Sequence, residues 1–585
     1  MISTILVWIY IFLLTTLAGH FVFRVLSRLL RKDVNAEPSI AELSITGLTF
    51  LGVFLSYFSL FLKIGLLANI LLFSACLIYF LFARKELISY FERQLNDFKK
   101  LPAIVIILIF VYFILILIAA QSVPAISDTG LYHVQNIKWI SSYKVIPGLG
   151  NLHGRFAFNN HSFLLEALFS LSFLKPDFFH LLNSYLAVII SVTLITLAYK
   201  KLNYNRWRGF LYTGLLILLQ VFYLKSVSSP TPDIFSLAGI WFIFIIYLEK
   251  IAGENSSKLY WLPILLMTFF MITVKLSAFP IALISIVFLA EYDNPRWKKL
   301  LLLLTAAALV FIPYFIRNFI ISGYLIYPYP SINIFNPDWK IPIQYVNEMR
   351  TVISTHAQSG DWEQRAFSEW FPLWYSHLSM GFKILSWYIL ISPALMAVLI
   401  SLSGNIRKRF GSDLKVVLIC FFAVVFWFIS APNFRFIFAF LFFYVLVTCM
   451  IFSCYLSGKF LSSGFFNRYR EKINILLPKA FYVLLLLFSA WFLLKLDYKG
   501  IKENLILPAG FKDVPYQRVE LNNFFVNIPD DGTYCWNLPL PSSIIQKNIG
   551  ITNIEMRGPD YKYGFGIKID KQEEIDKLKD LLRLK

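Results

Sequence analysis

The chain has 585 residues, 58% of them hydrophobic and 15% charged, an apolar share well above the ~45–50% of soluble domains. Its formal net charge of +20 is spread over short basic stretches between apolar runs, a pattern of membrane topology that excludes a nucleic-acid-binding surface. Five cysteines, four of them inside apolar runs, exclude a disulfide framework, and no Cys/His spacing fits a metal site.

Apolar stretches of roughly 17–25 residues read as membrane spans. In chain order they lie near 2–23, 40–62, 64–83, 101–121, 178–199, 209–224, 232–248, 259–274, 278–291, 299–321, 380–402, 414–430, 434–457 and 478–496. The expectation is an all-α polytopic membrane protein with about fourteen transmembrane helices. A transmembrane domain would cover 1–496 and carry large loops at 122–177 and 322–379. No basic region precedes the first apolar run, so that run is expected to stay in the protein as a span. Residues 161–174 read as a further helix that dips into, or lies along, the interface.

Sidedness follows from charge. Seven loops (24–39, 84–100, 200–208, 249–258, 292–299, 403–415 and 458–479) hold 27 of the 54 Lys and Arg residues. Basic loops stay in the cytoplasm, which places both termini outside. The loops 122–177 and 322–379 then face outward, as do six of the seven histidines, all but His20. The stretch 497–585 is mixed in charge, with strand-like pieces around GTYCWNL and YKYGFGIKI and helical spacing in KQEEIDKLKDLLRLK. It predicts a small extracytoplasmic α/β domain.

The chemistry concentrates in the first long polar interruption, Gln121 to Ser162. Asp128, in SDTGLYH, stands at the rim of a partly dehydrated region, where burial raises a carboxyl pKa and suits it to take a proton from an attacking hydroxyl. The alternative is a cap on the helix that follows. His133, on the helix that follows, is a second catalytic candidate, with a structural or interfacial role as the alternative. His153, Arg155 and Asn159, in HGRFAFNNH, offer donors suited to a substrate phosphate.

Ionisable groups at span ends extend the set. Asp233, in SSPTPDIFS, is a third catalytic candidate, with a helix N-cap as the alternative. Lys275 in TVKLSAFP, Arg317 and its neighbour Asn318 in YFIRNFIIS, and Arg435 in APNFRF are substrate-binding candidates. A charge at membrane depth costs roughly 2.5–3.5 kcal/mol on insertion scales, so such groups face a cavity, a partner or a bound ion. Snorkelling to the interface is the alternative for Lys275 and Arg317. Acids among cations at one face suit displacement of a phosphate leaving group: the carboxylate activates the acceptor and the cations hold the departing charge. No metal-ligand set is evident, and the cofactor stays open, since Asp128 and Asp233 together are able to share a divalent ion.

The stretches SDTGLYHVQNIKWI, VIPGLGNLHGRFAFN, SPTPD, TVKLSAFP, RNFIISGYLIYP and APNFRF resemble the landmarks of an uncharacterised bacterial family of large polytopic membrane proteins, over most of the chain. More distantly, the layout is similar to the GT-C superfamily of integral membrane glycosyltransferases. That resemblance implies a polyprenyl-phosphate-linked sugar donor, a glycan, lipid or protein acceptor, and a place in the bacterial cytoplasmic membrane serving cell-envelope polysaccharide synthesis. It gives Asp128 the acidic role and Arg435 the phosphate role. Here the acidic loop follows the fourth span and has no paired acid, whereas the superfamily pattern places it after the first. The alternatives are an O-antigen polymerase or ligase and a non-enzymatic transporter or flippase of lipid-linked glycans.

Overall fold

The structure is a computed structural model. It describes residues 1–30, 37–174, 179–253, 257–360, 363–460, 470–494, 504–531, 533–544 and 554–567. Its helices are α1 (Ile2–Leu30), α2 (Ile40–Phe61), α3 (Leu66–Lys99), α4 (Ala103–Ala119), α5 (Val134–Ser142), α6 (Leu149–Leu152), α7 (Ser162–Phe169), α8 (Leu182–Tyr204), α9 (Arg206–Tyr223) and α10 (Pro232–Ile246). They continue with α11 (Trp261–Val274), α12 (Ile284–Glu291), α13 (Arg296–Ser322), α14 (Ile343–Gln358), α15 (Phe367–His377), α16 (Met380–Leu402), α17 (Gly404–Arg409), α18 (Gly411–Ser430), α19 (Phe438–Phe460) and α20 (Arg470–Leu494).

Among the described residues ten of them are long and apolar enough to cross a membrane: α1, α2, α3, α8, α9, α10, α13, α16, α18 and α19. The chain is a multi-pass membrane protein by that measure. The other four expected spans fall on shorter described apolar stretches, Ala103–Ala119, Lys258–Val274, Leu276–Glu291 and, within α20, Tyr482–Leu494, so the count of fourteen is not confirmed. One cause is local. At Lys275 the backbone turns extended (φ −155°, ψ 123°), and the chain re-enters helix through a 3-10 segment, Leu276–Leu283, that contains Pro280. Two short helices with a polar break stand where the sequence reads two short spans.

Small residues let the first two helices cross closely. A side chain on Gly19 would lie 1.9 Å from the Leu43 carbonyl oxygen, and one on Gly47 1.8 Å from that of Thr15. Around this pair α8, α10, α11 and α13 bury the central apolar core. The expected interfacial helix after residue 161 is α7, and all eight of its residues are buried.

The described part of the C-terminal region forms two small antiparallel sheets. β1 (Tyr516–Leu521) pairs with β2 (Phe524–Pro529), and β3 (Ile554–Met556) with β4 (Phe565–Ile567). The expected strand at GTYCWNL is a turn: Trp536 takes φ +39° and its N–H donates to the Gly130 carbonyl at 2.8 Å. The helical spacing of KQEEIDKLKDLLRLK lies outside the described residues. This region rests on the loops of the chemistry-bearing end. Gln135 Nε2 and Lys138 Nζ donate to the Leu538 carbonyl at 3.1 and 2.7 Å. The Ser543 hydroxyl donates to Leu152 O at 2.8 Å, and Phe565 N–H to Pro147 O at 3.0 Å.

Candidate functional site

Five helix ends converge on one face of the bundle. Asp128 follows α4 and opens a π-helical turn, Thr129–His133. It has helical φ/ψ and makes no side-chain cap hydrogen bond, so its carboxylate is free for other partners. Asp233 lies in the first turn of α10, where Thr231 supplies the cap by accepting from Asp233 N–H at 3.3 Å and Pro232 fits the first turn. The carboxylate of Asp233 is thereby spared as well. Lys275 sits at the break after α11. Arg155 is carried by a 3-10 turn, Gly154–Phe158, and Arg435 by another, Phe434–Phe436, whose start is fixed by Asn433 Oδ1 accepting from Arg435 N–H at 3.1 Å.

These five side chains form one alternating chain of charge. Arg155 Nη1 lies 3.1 Å from Asp128 Oδ1, and Arg435 Nη2 lies 2.7 Å from Asp128 Oδ2. Arg435 Nε lies 3.3 Å from Asp233 Oδ2, close enough for ionic attraction though not aligned as a hydrogen bond, and Lys275 Nζ pairs with Asp233 Oδ1. Aromatic faces back the cations: Lys275 stands 4.5 Å from the Phe436 ring centroid, and Arg155 5.7 Å from that of Tyr132. Three cations and two acids leave a formal +1. Arg435, 38% exposed, is the open member, while Asp233 is only 7% exposed.

Burial alone would raise the Asp128 carboxyl, but Arg435 foremost, with Arg155, outweighs it and holds the group below the usual carboxylate range. The raised value expected from sequence is thus reversed by two guanidinium partners. Asp128 is a bound anion at neutral pH, and its basicity depends on what its arginines hold.

The other candidates make no hydrogen bond or ion pair with this chain among the described contacts. His133 is buried with neither ring nitrogen bonded and its ring against Tyr132 and Phe163; burial pushes it down to about 4. His153 packs on Phe156, and burial followed by the nearby Arg155 pushes it down to about 3. Arg317 donates through Nε to Asn159 Oδ1 at 3.0 Å and through Nη1 to Ser59 Oγ. Asn159, at φ +49°, also donates to Tyr314 O at 3.3 Å. Asn318 Nδ2 donates to Leu325 O at 3.0 Å.

A divalent ion does not fit the residues present. Among the described residues no three His, Cys, Asp or Glu side chains group as ligands, and the carboxylates of Asp128 and Asp233 already face cations. Sequence reasoning did not single out Ser59, Tyr132 or Phe436. Phe436 had a local signal, as the residue next to Arg435, whereas Ser59 is one hydroxyl in an apolar helix.

Comparison with curated proteins and with solved structures finds no match, and the resemblance to GT-C enzymes is not among the findings. The family described as a domain of unknown function (DUF8201) matches residues 1–442, a stretch that holds all ten candidate site residues, and the chain belongs to that family.

Proposed function

We propose that the protein is an integral membrane glycosyltransferase that moves a sugar from a polyprenyl-phosphate-linked donor at the outer face of the cytoplasmic membrane. The observation that carries the reading is the charge chain Arg155–Asp128–Arg435–Asp233–Lys275, with its surplus of one cation and its opening at Arg435. A lipid phosphate arriving at that opening meets a guanidinium able to bind it in bidentate fashion. As Arg435 turns to the phosphate, its hold on Asp128 weakens and the carboxylate gains basicity. Asp128 then accepts the proton of the attacking hydroxyl, the bond from the sugar to the phosphate oxygen breaks, and Arg435, Arg155 and Lys275 hold the departing phosphate. Asp233 keeps Lys275 and Arg435 in place. Binding of the donor and arming of the base are thus one event.

The test is release of polyprenyl phosphate from a sugar-labelled donor by the full chain in lipid nanodiscs. Asp128→Asn keeps the shape and removes the basicity, so release should fall at least about 10²-fold with the fold intact. Undiminished release would remove the assignment.

One observation favours transport as a second reading. The opposite end of the α10 segment carries another charge network: Glu249 lies 2.6 Å from Lys201 and 3.2 Å from Arg208, and Arg208 lies 3.1 Å from Asp413. Ionic closures at both ends of one segment suit alternating access. Passage of an intact lipid-linked sugar with no bond cleaved would decide for it.

A further inference from the structure

Arg317 is a buried cation for which the described residues provide no counter-charge. It is 3% exposed, and no carboxylate pairs with it among the described residues. Its two bonded partners, Asn159 and Ser59, are neutral, and three of its five N–H donors have no bonded acceptor. A guanidinium in such a place needs an anion nearby.

A second observation points to the same place. His161 is 1% exposed and both of its ring nitrogens lack a partner. It stands two residues after Asn159, and its ring packs edge-on, 5.1 Å between centroids, against Tyr314, which lies three residues before Arg317 on α13. Asn159, which accepts from Arg317, donates to the carbonyl of the same Tyr314, so the two groups meet at one turn of α13. His161 also stands at the N-terminal end of α7, where the helix dipole favours negative charge, and the hydroxyl of the next residue, Ser162, is buried without a partner. A neutral imidazole offers one N–H to an anion.

We propose that Arg317 and His161, at the start of α7, enclose a site for a small inorganic anion of chloride size. The size is inferred from enclosure: Ser59 and Asn159, like Arg317 and His161, are all buried. The anion completes the charge of the bundle between α2, α7, α11 and α13. It also steadies two segments that lead to the charge chain. Asn159 follows Arg155 by four residues, and the Thr273 carbonyl, which accepts from His161 N–H at 3.2 Å, precedes Lys275 by two. The inference stands whether or not the protein transfers sugars.

The test uses the full chain in detergent, melted in sodium gluconate with increasing sodium chloride at constant ionic strength. Expected is a saturable rise in Tm of at least about 3 °C that Arg317→Met abolishes. Should that variant fail to fold, His161→Phe keeps the bulk, removes the donor, and should weaken the response at least about threefold in midpoint concentration. Bromide soaked into crystals of the unaltered protein should give an anomalous peak beside Arg317 Nη2. A Tm indifferent to chloride, an equal response in Arg317→Met, or a bromide peak elsewhere would overturn the proposal. Stabilisation by phosphate or by phosphatidylglycerol vesicles alone, with none by chloride, would also overturn it in favour of an oxyanion or headgroup.

Discussion

Arg435 is the link between the two acids, and removing it should reveal how the charge chain is wired. Its Nη2 lies 2.7 Å from Asp128 Oδ2 and its Nε 3.3 Å from Asp233 Oδ2. Unit charges about 4 Å apart attract by about 4 kcal/mol at an effective dielectric of about 20. Water reaches the 38% exposed guanidinium, and Asp128 retains Arg155, so roughly half of that is expected as coupling. In a double-mutant cycle, Asp128→Asn and Arg435→Gln should each destabilise the protein, and together by about 2 kcal/mol less than their sum. The assay is chemical unfolding of the purified protein in detergent. Additivity within about 0.5 kcal/mol would refute the direct pairing on which the coupling of donor binding to base strength depends.

Further outcomes follow from other contacts. His133 is held to about 4 by burial against an ordinary 6.5, so the unfolded chain binds a proton that the folded one refuses. Stability should therefore fall by about 3 kcal/mol as pH drops from 6.5 to about 4, and His133→Phe should flatten part of that slope; identical pH profiles would contradict it. The contribution of Asp128 has the depressed-carboxylate sign, present above its ordinary value of 3.8 and lost only as pH falls through its lower folded value, so acid titration should separate the two below pH ~4. A side chain on Gly130 would lie 2.4 Å from the Trp536 ring, so Gly130→Ala should cost about 1–3 kcal/mol and loosen the C-terminal sheets, read as faster proteolysis near residue 536.

The spans were legible because lipid demands long apolar runs, and all fourteen positions carry apolar helices, ten of them long and apolar enough to cross among the described residues. The polar break at Lys275 was visible as a charge between two short runs, but nothing in those residues tells a break from two complete spans. The charge chain was half legible. Asp128, Arg155, Asp233, Lys275 and Arg435 stand out singly, because ionisable groups at membrane depth need a reason. Their order of pairing was not visible, since Asp128 and Arg435 are 307 residues apart. The direction of the Asp128 shift was misjudged for that cause: burial was evident in the sequence, while two guanidinium partners were a matter of folding. Arg317 was grouped with the phosphate binders on charge alone, whereas its bonded partners are Asn159 and Ser59.

The claim that the charge chain grips a lipid phosphate is tested most directly by equilibrium binding of a radiolabelled polyprenyl-phosphate sugar to the full chain in nanodiscs. The account predicts saturable binding by the unaltered protein and a Kd at least about tenfold weaker for Arg435→Gln, the loss of about 1.4 kcal/mol. Equal affinities, or no saturable binding by the unaltered protein, would contradict it.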